Sequence, residues 1–289
     1  MTSAGMSSRS LDRIAVFLFI LLVLAPVALS LVYAALYGAG LVGLFAPGVT
    51  VSYWRKVMEA AETWASLGLS LSVALAVVIL TAAIALPLSL AFHRRLQRGY
   101  LAYALTLPLA IPGAVAGLLG MQLLGGAGLV SRISFHLGLT GGAADFPPLI
   151  QDAWAIGIVT THVFLAVPFF VFLFAEIHAS ERIGPLCELA AMLGARPAQS
   201  LRRVALPILL RRAQPTLALL FVVVLASFEI PLMLGRQAPQ MASVLIWRKY
   251  ALFDVSQKPE AYVLALSFAL IALAIAGLGI RRRGVSDVV

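Results

Sequence analysis

Glu229 lies in the stretch SFEIPLMLG, two residues before Pro231 and inside an apolar run. On insertion scales a carboxylate at the centre of a membrane helix costs roughly 2.5–3.5 kcal/mol, so it is expected to face a cavity or a partner. Two uses follow. Glu229 lines a solute path or its outer gate, facing a cationic solute or a basic residue, or it is a protonated or paired carboxylate that holds helices together. His162, beside Thr160 and Thr161 in another apolar run, offers a similar pair: a path-lining group or a hydrogen-bonded structural one. Other chemistry is excluded by spacing. His93, His136, His162 and His178 are dispersed, none lies four residues from another, and no HExxH occurs, so no metal site and no catalytic residue is assigned. A six-span Ser-His protease lacks its GxSG element; Gly68-Leu69-Ser70-Leu71 is the nearest stretch. No phosphate loop exists, because Lys56, Lys249 and Lys258 are the only lysines and none follows a glycine. The chain is therefore read as no enzyme, and any ATP-driven step needs a separate subunit. Cys187 is the single cysteine, which excludes an intrachain disulfide and a multi-cysteine metal site.

Apolar segments must position these groups. The 289 residues are 62% hydrophobic and 11% charged, a membrane composition. A hydrocarbon core of about 30 Å needs about 20 helical residues. Six segments qualify, roughly 14–37, 66–92, 101–124, 150–174, 213–234 and 261–280. The first is too long for the apolar region of a signal peptide and is read as an uncleaved span. With the N-terminus inside, the inner segments carry 14 Lys and Arg and the outer loops 7. That ratio places both termini in the cytoplasm. The net charge of +9 is explained by retention on that membrane face, so no nucleic-acid partner is expected. Pro26, Pro87, Pro108, Pro112, Pro168 and Pro231 fall in the spans, where freed carbonyls are satisfied by neighbouring helices or cavities. Gly113 and Gly117, with Gly120 close by, allow close helix approach. The stretch 125–148 reads as an outer loop, with Phe135 and Trp154 as interface anchors. Tyr53, Trp54 and Trp64 mark an amphipathic surface segment.

The polar exception is Glu188 to Pro207, ELAAMLGARPAQSLRRVALP, between the fourth and fifth spans. Helix formers flank Gly194, which suits the left-handed end of one helix, and Pro197 suits the first turn of the next. Six arginines between Arg182 and Arg212 place this helix–turn–helix in the cytoplasm, with Pro207 punctuating the entry to the next span. A carboxylate at Glu188, read as near a helix start, is favoured by the helix dipole. Arg202 and Arg203 suit acidic partners or lipid phosphates.

Glu188, Ala190, Gly194, Val204, Leu206 and Pro207 resemble the EAA loop of the permease subunits of type I, binding-protein-dependent ATP-binding-cassette (ABC) importers. That pattern is Glu-Ala-Ala, three residues, Gly, nine residues, then Ile-x-Leu-Pro. Every spacing is kept, with Leu189 for the first Ala and Val204 for the Ile. The segments FEIPLMLG and SVLIW look most like the polyamine, ferric-iron, thiamine and phosphonate branch. The resemblance implies an all-α integral membrane protein of six transmembrane helices, with a cytoplasmic coupling loop that fits a groove on an ATPase. Its residues would be Glu188, Ala190, Ala191, Gly194, Arg202, Arg203, Leu206 and Pro207, with Glu188 pairing a basic residue there. Also implied are a dimer of ATPase subunits carrying ATP and Mg, a second permease subunit and an external solute-binding protein, in a bacterial inner membrane with its lipid. This chain would bind no cofactor. The expected organisation is a tail at 1–13, one six-span domain at 14–283 (transport core about 62–280, coupling loop about 182–207) and a tail at 284–289. Two other readings stay open for the sequence: an ion-coupled carrier using Glu229, disfavoured because no internal repeat is visible, and an amphipathic helix lying on headgroups at 188–207.

Overall fold

The computed structural model describes residues 8–43, 48–96 and 107–281. The described secondary structure is helical throughout. Six of its helices are long and apolar enough to cross a membrane: Ala15–Gly38, Ala61–Phe92, Gly113–His136, Ile156–Ser180, Pro197–Leu225 and Val255–Ile275. The chain is a multi-pass all-α membrane protein, as its composition requires.

Two compact units make up the chain. One runs up to Thr63 and takes in Ile246–Leu270. It contains helices α1 (Ser8–Phe19), α2 (Ala25–Gly38) and α3 (Ser52–Glu59), with a π turn at Ile20–Leu24 joining the first two. Tyr37 stacks on Tyr262 with ring centroids 4.4 Å apart, and Tyr33 meets both. Gly38 makes room for Val263, which would lie 2.8 Å from a β-carbon there. The segment α3 is the amphipathic one expected around Trp54, and it buries Val57 while its charged residues stay outside. Within the same unit Lys249 pairs with Glu260 at 2.8 Å, and Arg248 pairs with Glu62.

The second unit is Trp64–Leu245 with the chain from Ile271. It holds most of α4 (Ala61–Leu96), then α5 (Gly113–Leu124), α6 (Leu129–His136), α7 (Ile156–Ser180) and α8 (Ile183–Met192). A short helical turn at Pro197–Ser200 and a π turn at Leu201–Ala205 lead without a break into α9 (Leu206–Leu225). After it comes α10 (Glu229–Leu234); α11 (Ala242–Ala251) belongs to this unit up to Leu245, and α12 (Lys258–Arg281) from Ile271 on. One core packs Ala85 of α4, Phe170, Phe174 and Ala175 of α7, Ile183 of α8, Ala205, and Leu209 and Ala213 of α9. Phe174, Ile183 and Leu209 are fully buried. Lipid tails are as apolar as these side chains, so close packing rather than release from water ties the base of the loop after α7 to two spans.

Several boundaries differ from the sequence reading, for local reasons. The fourth span starts at Ile156, not 150, because the backbone is left-handed at Gln151 and Ala155 and the Asp152 carboxylate accepts the N–H groups of Trp154 and Ile156 just ahead of the helix. The third starts at Gly113, after Pro112, and continues through α6, so a helix occupies part of the expected outer loop; positions 101–106 lie outside the described residues. The fifth runs from Pro197 and ends at Leu225, so Glu229 begins a separate short helix rather than sitting inside the span. Pro207 punctuates nothing. The π turn widens the backbone just before it, with Leu206 N–H donating to the Leu201 carbonyl, and the helix accommodates the proline ring. Pro87 and Pro168 likewise lie within continuous helices. Glu188 is the sixth residue of α8, beyond the reach of the dipole at the helix start.

Candidate functional site

Two places gather the residues that the sequence singles out. The first is the turn between α8 and the next helix. Gly194 has φ +86°, and the hydrogen bonds around it close α8 as a Schellman motif: Gly194 N–H donates to the Ala191 carbonyl at 2.9 Å and Ala195 N–H to the Ala190 carbonyl at 3.0 Å. Ala190 and Ala191 thus supply the two acceptors. The next helix starts at Pro197, with Arg196 N–H bonded to the Gln199 side chain at 2.9 Å. The base of the loop is pinned by buried Ile183 and by the Arg212–Glu181 ion pair at 2.7 Å. The tip is exposed and apolar: Met192 and Leu193 are each 83% accessible and Leu189 is 56% accessible. Glu188, Arg202, Arg203 and Pro207 are exposed beside it, while Leu206 is half-buried. Among the described residues Glu188 makes no ion pair. The sequence singled out the loop but not the exposure of Leu189, Met192 and Leu193, which needs the burial of Ile183 on the opposite face to be seen.

Cys187 sits next to Glu188, half-buried against the core. Burial pushes its thiol above the ordinary value, so at a given pH less of the reactive thiolate is present. Alkylation of Cys187 by a maleimide is expected to be slow at pH 7 and to keep accelerating beyond the pH at which a free thiol levels off. Mass spectrometry of a pH series checks this.

The second place is the break between α9 and α10. The break at Ala226–Phe228 is held from two sides. His162, buried in α7, donates from Nδ1 to the Ile158 carbonyl at 2.8 Å, which leaves Nε2 of the neutral ring to accept the Ser227 hydroxyl at 3.0 Å. The Ser243 hydroxyl donates to the Ser227 carbonyl. Beyond the break, α10 lies along α5 at the closest approach that glycine allows: Met233 sits over Gly117, and Leu234 with Thr161 over Gly120. The Glu229 carboxylate occupies the space that a β-carbon on Gly113 would take. Gly113 is the first residue of α5, so the carboxylate faces the positive end of that helix as well as its own. Glu229 is exposed and, among the described residues, makes no ion pair.

His162 and Glu229 thus bracket one break but differ in kind. Both ring nitrogens of His162 are used within the chain, which is the structural alternative of the sequence reading. Glu229 is left open to its surroundings. The glycine spacing packs helices within the chain. Ser227, Ser243 and the role of Asp152 escaped the sequence reading; for Asp152 the signal was an acidic residue just ahead of an apolar periodic run. Replacing His162 with alanine is expected to free the Ser227 hydroxyl and leave a cavity, lowering stability by about 1–3 kcal/mol. A fall in the thermal unfolding midpoint of the purified protein checks it.

No family model matches the sequence, and no curated relative matches it. Solved structures do. A chain of a bacterial ABC transporter involved in the import of the acidic polysaccharide alginate matches with a TM-score of 0.65 at 16% identity, over 96% of this chain and 95% of that one. A chain of a bacterial alginate ABC transporter in complex with an alginate pentasaccharide-bound periplasmic protein matches with a TM-score of 0.64 at 15% identity, over 94% and 91%. The likeness is one of fold.

Proposed function

We propose that this chain is the membrane-spanning permease subunit of an ABC importer, forming a solute path and coupling to a separate ATPase. The observation that carries this reading is the fold likeness to chains of ABC transporters along nearly the whole length. The loop with the EAA-type spacing fits it. Its fixed base and exposed apolar tip are what a docking surface needs, and Glu188, free of an ion pair within the described chain, is available for a basic residue of the ATPase. In this reading the loop and both termini face the cytoplasm of a bacterial cell, two permease subunits line the path, and an external binding protein delivers the solute. ATP and Mg belong to the ATPase subunits.

Glu229, exposed beside the break, is assigned to the path. Its negative charge favours a cationic solute over an acidic polysaccharide such as the one that the two neighbours import. The test is reconstitution of the chain in liposomes with its ATPase and binding protein. Uptake that requires ATP and survives collapse of the ion gradients supports the proposal. Uptake that follows a proton or sodium gradient without ATP replaces it with an ion-coupled carrier. Orientation is tested at Cys187: a membrane-impermeant thiol reagent is expected to label inverted vesicles and leave intact cells unlabelled, and labelling of intact cells overturns the assignment.

A further inference from the structure

A groove of about 530 Å³ opens on one side of α9, between Val78 of α4 and Ile275 of α12. On α9 itself Arg211, Gln214, Leu217 and Phe221 line it, a spacing of three, three and four residues that keeps them on one helix face. Its volume is that of ordinary small-molecule sites, and its chemistry is graded along the helix. Arg211 and Gln214 stand at one end, and everything beyond them is hydrocarbon. From Arg211 to Phe221 the helix rises about 15 Å, which is half of a hydrocarbon core of about 30 Å. The groove is therefore about as long as one leaflet is deep, and its polar end is suited to the headgroup level.

The charge at that end is uncommitted. Arg212, the next residue, is bound to Glu181 at 2.7 Å on another side of the helix. Arg211 is exposed and makes no ion pair among the described residues. A long arginine side chain at this depth keeps its stem on apolar surface and its guanidinium at the interface, where it meets anionic headgroups. A ligand with a negative head and a hydrocarbon tail matches both ends at once; a soluble solute matches only the first.

We infer that this groove is a binding site for one anionic phospholipid, with the Arg211 guanidinium on its phosphate and an acyl chain lying along Leu217 and Phe221 toward Ile275. The site is separate from Glu229 and from the loop after α7, and it does not depend on the transport proposal.

Native mass spectrometry tests it on the full-length protein, purified with any partners that it retains. The protein is exchanged into nanodiscs of equal parts phosphatidylglycerol and phosphatidylcholine and then mildly delipidated. Wild type is expected to keep one phosphatidylglycerol in preference to phosphatidylcholine by about fivefold, the effect of one basic residue near the surface. Arg211→Lys keeps that preference and Arg211→Gln loses it. Ala218→Trp, which fills the groove without touching the charge, is expected to reduce retention of both lipids. Equal retention of the two lipids by wild type overturns the proposal, as does an undiminished preference in Arg211→Gln. A disulfide cross-link between two copies through Ala218→Cys in a Cys187→Ser background in native membranes also overturns it, by making the groove a seam between subunits.

Discussion

Gly194→Val is expected to abolish uptake, whereas Gly194→Asn is expected to retain much of it. Nothing lies within 4 Å of a β-carbon built on Gly194, so size is no obstacle. The obstacle is φ +86°. A left-handed backbone costs an L-residue roughly 1–2 kcal/mol, least for asparagine and most for a β-branched residue. Valine therefore drives the turn out of the Schellman geometry, releasing the Ala190 and Ala191 carbonyls and turning the helix that starts at Pro197. The base, held by Ile183 and the Glu181–Arg212 pair, stays folded. A normal yield of protein with lost uptake and lost capture of the ATPase in pull-downs is the expected pattern. Glu188→Lys and Gly194→Asp are expected to give the same double loss through charge, the first by reversing the charge offered to the ATPase and the second by adding an anion to the tip, since aspartate tolerates the left-handed backbone much as asparagine does. Normal association and normal uptake in both remove the docking assignment.

Gly113→Ala should reduce uptake by about two- to fivefold, the factor that corresponds to about 0.3–1 kcal/mol, with little loss of stability. The new methyl group takes the place now held by the Glu229 carboxylate. That carboxylate ends a flexible side chain, so it swings aside and the helices keep their packing. What is lost is the position of the charge over the start of α5, where the helix dipole stabilises an exposed anion by roughly 0.3–1 kcal/mol. Glu229→Gln should give a comparable loss of uptake by removing the charge in place. Gly157→Ala provides the contrast, since its methyl would meet the Leu149 carbonyl at 2.5 Å and backbone must move; that variant is expected to fail in folding. Unchanged uptake and selectivity in Glu229→Gln at normal expression would dismiss the path role.

Much of this was legible in the sequence because hydropathy and a left-handed glycine are local signals. Six apolar runs and the turn at Gly194 can be read from neighbours in the chain alone. Boundaries were not legible where a polar atom overrules hydropathy. Ile150 is as apolar as Ile156, but the left-handed backbone at Gln151 and Ala155, with the Asp152 carboxylate on the Ile156 N–H, decides where the helix begins. Pro207 misled for the opposite reason: a proline reads as a stop, and a π turn two residues upstream is invisible in composition. The placement of Glu229 was half legible. Its sequence neighbours mark it as an intramembrane acid, whereas its contact with Gly113, more than a hundred residues away, exists only once α5 and α10 lie side by side.

The unbroken helix from Pro197 to Leu225 spans 29 residues, about 44 Å at 1.5 Å each. Its near end is the lip of the exposed turn and its far end is the break clamped by His162 and Ser243. A rod of that length does not bend to absorb a nudge; it tilts or slides as a piece. A displacement imposed at Gly194 therefore arrives beside Glu229, and the soft joints along the way are the widened turn at Leu201–Ala205 and Pro215, which lies inside the helix and lacks the N–H of its backbone bond.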